Sequence, residues 1–244
     1  MNTALPPVGL PPRGRPVHGA RLGIIMLDTL FQRFPGDIGN ARSFDFPVQY
    51  AVVKGIRLGG SVRPDDETLR KFFDVIDQLV ANGVDGISTS CGFLAIMQPH
   101  LAEYSPVPVA SSSLMQILML QRMLPKGKKV GILTANKPAL TPAHFEGVGV
   151  SPDLPVAGMP LDGAFRHNLV TGNPVINRAD HEREVLQETE KLLREHPDIG
   201  AIVFECTNLS PFSEVTQRTF GLPVYDIITL LKWFHGGLQP TNHG

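Results

Sequence analysis

The chain has 244 residues, of which 42% are hydrophobic and 18% charged, and its formal net charge is −1. That length accommodates one large domain or two lobes of ordinary size, each with its own core. With near-zero charge and no basic cluster, the long-range field of a nucleic-acid-binding surface is excluded, and no apolar run reaches the length of a membrane span.

Residues 5–16 are rich in Pro and Gly and predict a mobile tail over residues 1–20. No signal-peptide core follows Arg13 and Arg15 before the first strand, so a cytoplasmic location is expected. Residues 22–27 read as a buried parallel strand, residues 31–45 as a long loop punctuated by Pro35-Gly36-Asp37 and Gly39-Asn40, and residues 46–55 as a second strand. Leu69, Phe72, Phe73, Ile76, Leu79 and Val80 then recur at helical spacing, with acidic residues at the start and Gly83 at the end. This predicts a helix over 66–82 that feeds the strand ending at Cys91. Ser111-Ser112-Ser113 opens a helix over 114–124 that is apolar nearly all round, and is therefore expected to be buried between lobes or subunits. A helix over 180–196, with Val185, Leu186, Thr189, Leu192 and Leu193 facing inward, feeds the strand over 199–204 and Cys206. The last helix, over 227–234, is expected to stop at Gly236-Gly237 and to use Trp233 in core or dimer packing.

The two halves echo one another. Arg21-Leu22-Gly23-Ile24-Ile25-Met26 returns in kind as Lys129-Val130-Gly131-Ile132-Leu133-Thr134. Cys91 and Cys206 each follow an apolar strand-like run, and Val107-Pro108-Val109 returns as Leu222-Pro223-Val224 at the same offset as the cysteines. Alternating strands and helices imply parallel sheets. The expected fold is therefore α/β, with two similar lobes, each a mainly parallel sheet flanked by helices, related by pseudo-twofold symmetry. The first lobe is expected over 21–110 and the second over 111–221, with a strand and helix over 222–244 packing back on the first. Ligands of such sheets bind outside the carboxyl ends of the strands, where both cysteines fall.

These are the only cysteines in the chain. Small polar residues surround them: Ser90 and Gly92 flank the first, Thr207 and Asn208 follow the second, and Thr134 and Asn136 end the strand equivalent to residues 22–27. Glu205 is expected to alternate to the opposite face of its strand as a structural partner. The eight histidines are scattered without ligand spacing, so no metal is expected; the Gly-Gly pairs make no phosphate loop, and no lysine context suggests pyridoxal. Over residues 21–235, and most clearly at Gly86–Gly92 and Glu205–Asn208, the chain resembles the cofactor-independent aspartate/glutamate racemase superfamily, which includes hydantoin racemases.

That resemblance implies that Cys91 and Cys206 act as thiolate base and thiol acid on opposite faces of a substrate's α-carbon. It further implies substrate contacts from Ser90, Gly92, Thr207, Asn208, Thr134 and Asn136, no cofactor, and a homodimer. The expected activity is racemisation or epimerisation of an amino acid or related small carboxylate. Two departures from many relatives stand out. Gly92-Phe93 replaces Asn-Thr after the first cysteine, and Met26-Leu27-Asp28-Thr29 replaces a glycine-rich substrate loop, whose role the 35–40 loop is placed to take. Alternatives are decarboxylation or isomerisation of a small dicarboxylate on the same scaffold, a non-catalytic two-lobed metabolite-binding protein, and a disulfide redox switch.

Overall fold

The computed structural model describes residues 16–57, 62–172 and 177–239. Most of the expected N-terminal tail, the Gly59-Gly60 pair and His243 lie outside these residues.

Strand β1 (Leu22–Leu27) is buried at all six positions. It lies between β2 (Val48–Val53) and β3 (Gly86–Thr89), parallel to both, and β4 (Val109–Ala110) completes the order β2-β1-β3-β4. A central parallel strand is covered on both faces, which is why β1 is apolar throughout rather than alternating. Helix α1 (Asp66–Ala81) makes the crossover from β2 to β3. The Asp65 side chain caps it by accepting from the Thr68 amide, Asp66 and Glu67 oppose the helix dipole, and Gly83 turns the chain at φ 95°. Phe72, Val75, Ile76 and Leu79 form its buried stripe. Helix α2 (Gln98–Tyr104) follows β3.

The second half repeats this plan. After α3 (Ile117–Met123) come β5 (Lys129–Thr134), α4 (Pro142–Glu146), β6 (Val156–Gly158), α5 (Ala164–Thr171) and α6 (Arg178–Glu195). Then follow β7 (Ile199–Phe204), α7 (Ser213–Phe220), β8 (Val224–Tyr225) and α8 (Ile227–Leu238). The second sheet is parallel with order β6-β5-β7-β8, so β1 corresponds to β5 and β3 to β7. The fold is thus two four-stranded parallel sheets flanked by helices.

Strand β8 belongs to the second sheet, whereas α8 packs Ile227, Leu230 and Leu231 against Leu22, Ile24 and Ala110 of the first. A Cβ at Gly86 would stand 2.6 Å from Leu238 and 2.8 Å from Phe234, so these side chains close into the space that a glycine in β3 leaves. The same packing carries α8 through Gly236-Gly237 to Leu238, past the stop expected from the glycine pair. Two expectations of burial within the chain are also corrected, while the subunit packing offered beside each belongs to the homodimer proposal. Residues 113–116 form a tight 3₁₀ turn, and α3 buries Ile117 and Leu120 while Leu118, Met119 and Met123 are exposed. Trp233 is 64% exposed and packs in no core. Among the described residues no helix is long and apolar enough to cross a membrane.

Candidate active site

Cys91 and Cys206 each stand two residues beyond the end of an equivalent strand, β3 and β7, and both are free thiols. The turns that carry them interlock. Thr207 Oγ1 donates to the Ser90 carbonyl at 2.8 Å, which binds the second cysteine's turn to the first, while Ser90 Oγ accepts from the Leu27 amide at 2.9 Å. A Cβ on Gly92 would lie 2.0 Å from the Glu205 carbonyl oxygen and 2.1 Å from its Oε1. Gly92 is required because the other lobe's backbone and carboxyl occupy the space beside it.

The structure brings Ser90, Cys91, Gly92, Thr134, Cys206, Thr207 and Asn208 into one junction, with most of their polar groups engaged within the protein. Thr134 Oγ1 donates to Glu205 Oε2 at 2.7 Å. Cys206 Sγ donates to Asn208 Oδ1 at 3.6 Å, and Asn208 Nδ2 donates to Asp37. Asn136 is different: its side chain makes no hydrogen bond among the described residues and lines the adjoining cavity.

Three residues that the sequence did not nominate complete the junction. Glu205 is 2% exposed against Gly92 and Thr134, not on an outward face; β7 ends at Phe204, so strand alternation no longer governs the next residue. Asp37, also 2% exposed, comes from the loop after β1 and accepts from Arg33 Nη1 at 2.7 Å and the Gly39 amide at 2.7 Å. Arg33 Nη2 also donates to Thr29. The 35–40 loop was the one available signal for this pair.

Burial pushes the Cys91 thiol up to about 12, and the Glu205 charge adds to the rise; the amides of Phe93 and Leu94 and the Arg33 guanidinium oppose it. Cys206 is driven well above the ordinary thiol range by burial and then by Glu205, with Cys91 and Asp37 raising it further against the Asn208 amide. Cys206 therefore senses the Cys91 charge. Burial raises Glu205 itself to about 7, opposed by the Thr134 hydrogen bond, so this carboxyl changes charge near neutral pH. Of the two sulfurs, Cys91 has the environment more favourable to a thiolate, while Cys206 is held as a hydrogen-bond donor.

Among the described residues it is Cys91, and not Cys206, that lines a cavity of about 340 Å³ between the lobes. Phe93, Ile96 and Leu169 give it apolar walls, and Asn136 and Arg166 add polar groups from the second lobe. No group of three or more His, Cys, Asp or Glu among the described residues could hold a metal ion. His167 lies exposed on α5, away from the lining.

The fold is shared with a decarboxylase and with amino-acid and allantoin racemases of known structure. Unliganded arylmalonate decarboxylase superposes with TM-score 0.59 at 18% identity, covering 91% of this chain and 96% of that one. A glutamate racemase from Bacillus anthracis gives 0.57 at 13% identity (92% and 85%), and an allantoin racemase from Pseudomonas fluorescens 0.55 at 15% (89% and 90%). No family model matches the sequence. Curated relatives are more specific: a dimethylsulfoniopropionate lyase of Durusdinium sp. clade D is 32% identical over 95% of this chain and 78% of its own length. Dimethylsulfoniopropionate lyase 7 of Emiliania huxleyi is 29% identical over 89% of this chain and 67% of its own length. The chain belongs to the dimethylsulfoniopropionate lyase family. The expectation of a racemase, an isomerase, is overturned by these relatives. A pair of cysteines on this scaffold does not by itself imply racemisation, since the same group that removes an α-proton can start either reaction.

Proposed function

We propose that this protein is a lyase that eliminates dimethyl sulfide from dimethylsulfoniopropionate, with Cys91 as the base. The observation that carries this reading is the 32% identity to the Durusdinium lyase over nearly the whole chain. In the proposed step the Cys91 thiolate takes the proton from the carbon next to the carboxylate. The C–H electron pair becomes the new double bond, the C–S bond breaks, and its pair leaves on sulfur as neutral dimethyl sulfide. Acrylate remains, and the proton on Cys91 passes to solvent. Departure of the sulfide replaces reprotonation of carbon, so no second acid is required. This fits Cys206, whose thiol proton is committed to Asn208.

The sulfonium charge would lower the Cys91 thiol on approach, offsetting the burial that raises it. Phe93 supports this substrate, because its ring offers the methyl-bearing cation a polarisable face where many racemases carry polar side chains. Positioned proton transfer contributes about 10²–10⁴-fold, and donors to the enolate-like carboxylate must supply the rest. The cytoplasmic location read from the sequence and the homodimer implied by the resemblance belong to the same proposal. The test is incubation of the purified protein with dimethylsulfoniopropionate, with headspace chromatography for the sulfide and proton NMR for acrylate. Equal amounts of both are expected; absence of both defeats the reading.

A further inference from the structure

Helix α5 brings Arg166 from the second lobe into the wall of the cavity that Cys91 lines. Its Nη1 is buried and has no hydrogen-bond partner among the described residues. A guanidinium carries five N–H donors and stays ionised, so a terminal nitrogen sealed from water without an acceptor is a net cost to the fold. The carboxylate at the start of this helix, Glu184, accepts the amide protons of Ala164 at 2.7 Å and Phe165 at 3.0 Å. Arg166 also sits in the first turn of α5, where the helix end is itself positive and a cation is disfavoured.

The surrounding cavity deepens this imbalance. Arg57 and Arg63 also line it, and among the described residues neither has an ion-pair partner and no Asp or Glu lines the cavity. His144 is held neutral, because burial lowers it from its ordinary value. The Asn136 side chain lines the same space and makes no hydrogen bond among the described residues. Positive charge is thus concentrated, uncompensated, in the space into which the proposed base opens. Meanwhile the hydroxyls of Thr134 and Thr207 and the amide of Asn208 donate within the protein.

We infer that Arg166 anchors the substrate's carboxylate, with Asn136 as a second donor and Arg57 and Arg63 adding positive potential at that carboxylate end of the ligand. The planar guanidinium matches a carboxylate through two parallel N–H bonds, and the apolar walls of Phe93, Ile96 and Leu169 take the rest of the ligand. The inference rests on the lyase reading for the identity of the substrate, but not for the chemistry of the ligand, which is a short-chain carboxylate. Arg166 is a binding and positioning residue in this account, with no proton to transfer.

The test uses propionate, which has the carboxylate and no leaving group, and propionamide, its neutral counterpart, in calorimetric titrations of the full chain. Wild type is expected to bind propionate, and Arg166→Gln to weaken that binding about 10–100-fold, the worth of a hydrogen-bonded charge pair. Propionamide affinity should stay unchanged. Arg166→Lys keeps the charge and stem, so it guards against misfolding of the glutamine variant; loss of the bidentate geometry should leave it between the other two. In turnover, KM should rise by a similar factor with a smaller change in kcat. Three results overturn the inference: no propionate binding by wild type, unchanged propionate affinity in the folded variants, or equal weakening of propionate and propionamide. If propionate binding depends on Arg166 but no sulfide is released, the lyase reading fails and the anchor stands; release of sulfide with binding indifferent to Arg166 gives the reverse.

Discussion

The two cysteine turns end equivalent strands of a duplicated sheet, yet they have been finished differently. In the first lobe Gly92-Phe93 follows the thiol, leaving Cys91 beside two turn amides and open to the inter-lobe cavity. In the second, Thr207 and Asn208 are both committed, one to the Ser90 carbonyl and the other to Cys206 and Asp37. Duplication of the strands has supplied two thiols, while divergence of the turns has given one access to a ligand and the other a fixed structural setting. An elimination needs this asymmetry, because only one proton has to be moved at carbon. A two-base racemisation places symmetrical demands on its thiols.

The comparison breaks most directly at the thiols. Cys91→Ser should lower kcat for sulfide release by about 10³-fold or more, within the range of a lost positioned base. Cys206→Ser keeps a donor for Asn208 and should cost about tenfold or less; equal losses in the two variants would contradict the division of roles.

A large structural effect is expected where the lobes meet. Gly92→Ala places a methyl within 2.0 Å of a backbone oxygen of Glu205, a clash that no side-chain rotation relieves. Urea unfolding should show a loss of about 3 kcal/mol. A loss under 1 kcal/mol would mean that the turns are less tightly interlocked than described.

Glu205 sharpens the electrostatic side. Its folded pKa, about 7, lies above the unfolded value, so the native state binds the proton more tightly. The stability from this group is fully present below about pH 4.5 and is lost as pH rises through 7, on the order of 3 kcal/mol in all. Glu205→Gln should flatten that dependence in unfolding experiments from pH 4 to 8. Because the Glu205 charge raises both thiols, the same variant should move the thiol-dependent limb of the rate profile to lower pH; an unmoved limb would separate Glu205 from the thiols.

The smallest effect concerns the single bond between the turns. Thr207→Val removes the hydroxyl that reaches the Ser90 carbonyl and should cost about 1 kcal/mol, plus whatever the unpaired carbonyl adds. Thermal unfolding measures it, and an unchanged midpoint would remove this bond from the account.

Much of this was legible in the chain. β1 and β5 are recognisable as copies because a buried parallel strand leaves an uninterrupted apolar signature, and the cysteines fall at strand ends by simple counting. Helix α1 announces both of its ends, through Asp65-Asp66-Glu67 and Gly83. The expectation that α3 is buried within the chain failed because Leu118, Met119 and Met123 are apolar yet exposed on it; apolar surface is common on folded proteins and carries no burial signal by itself. Glu205 lies one residue beyond the end of β7, so strand alternation did not fix where it points. Arg166 had no local signature, and Arg33 and Asp37 had only the 35–40 loop to point to them: the fold, not sequence proximity, sets them around the site. The reaction was the least legible feature, since an α-proton and a thiolate are common to racemisation and elimination, and the fate of the carbanion depends on a leaving group that belongs to the substrate.

The most direct test of the account is the rate of dimethyl sulfide release from dimethylsulfoniopropionate carrying deuterium or hydrogen at the carbon beside the carboxylate. The account predicts release of sulfide and acrylate in equal amounts, slower from the deuterated substrate and abolished by Cys91→Ser. No sulfide from either substrate, together with deuterium uptake and loss of chirality in an amino acid supplied in heavy water, would contradict it.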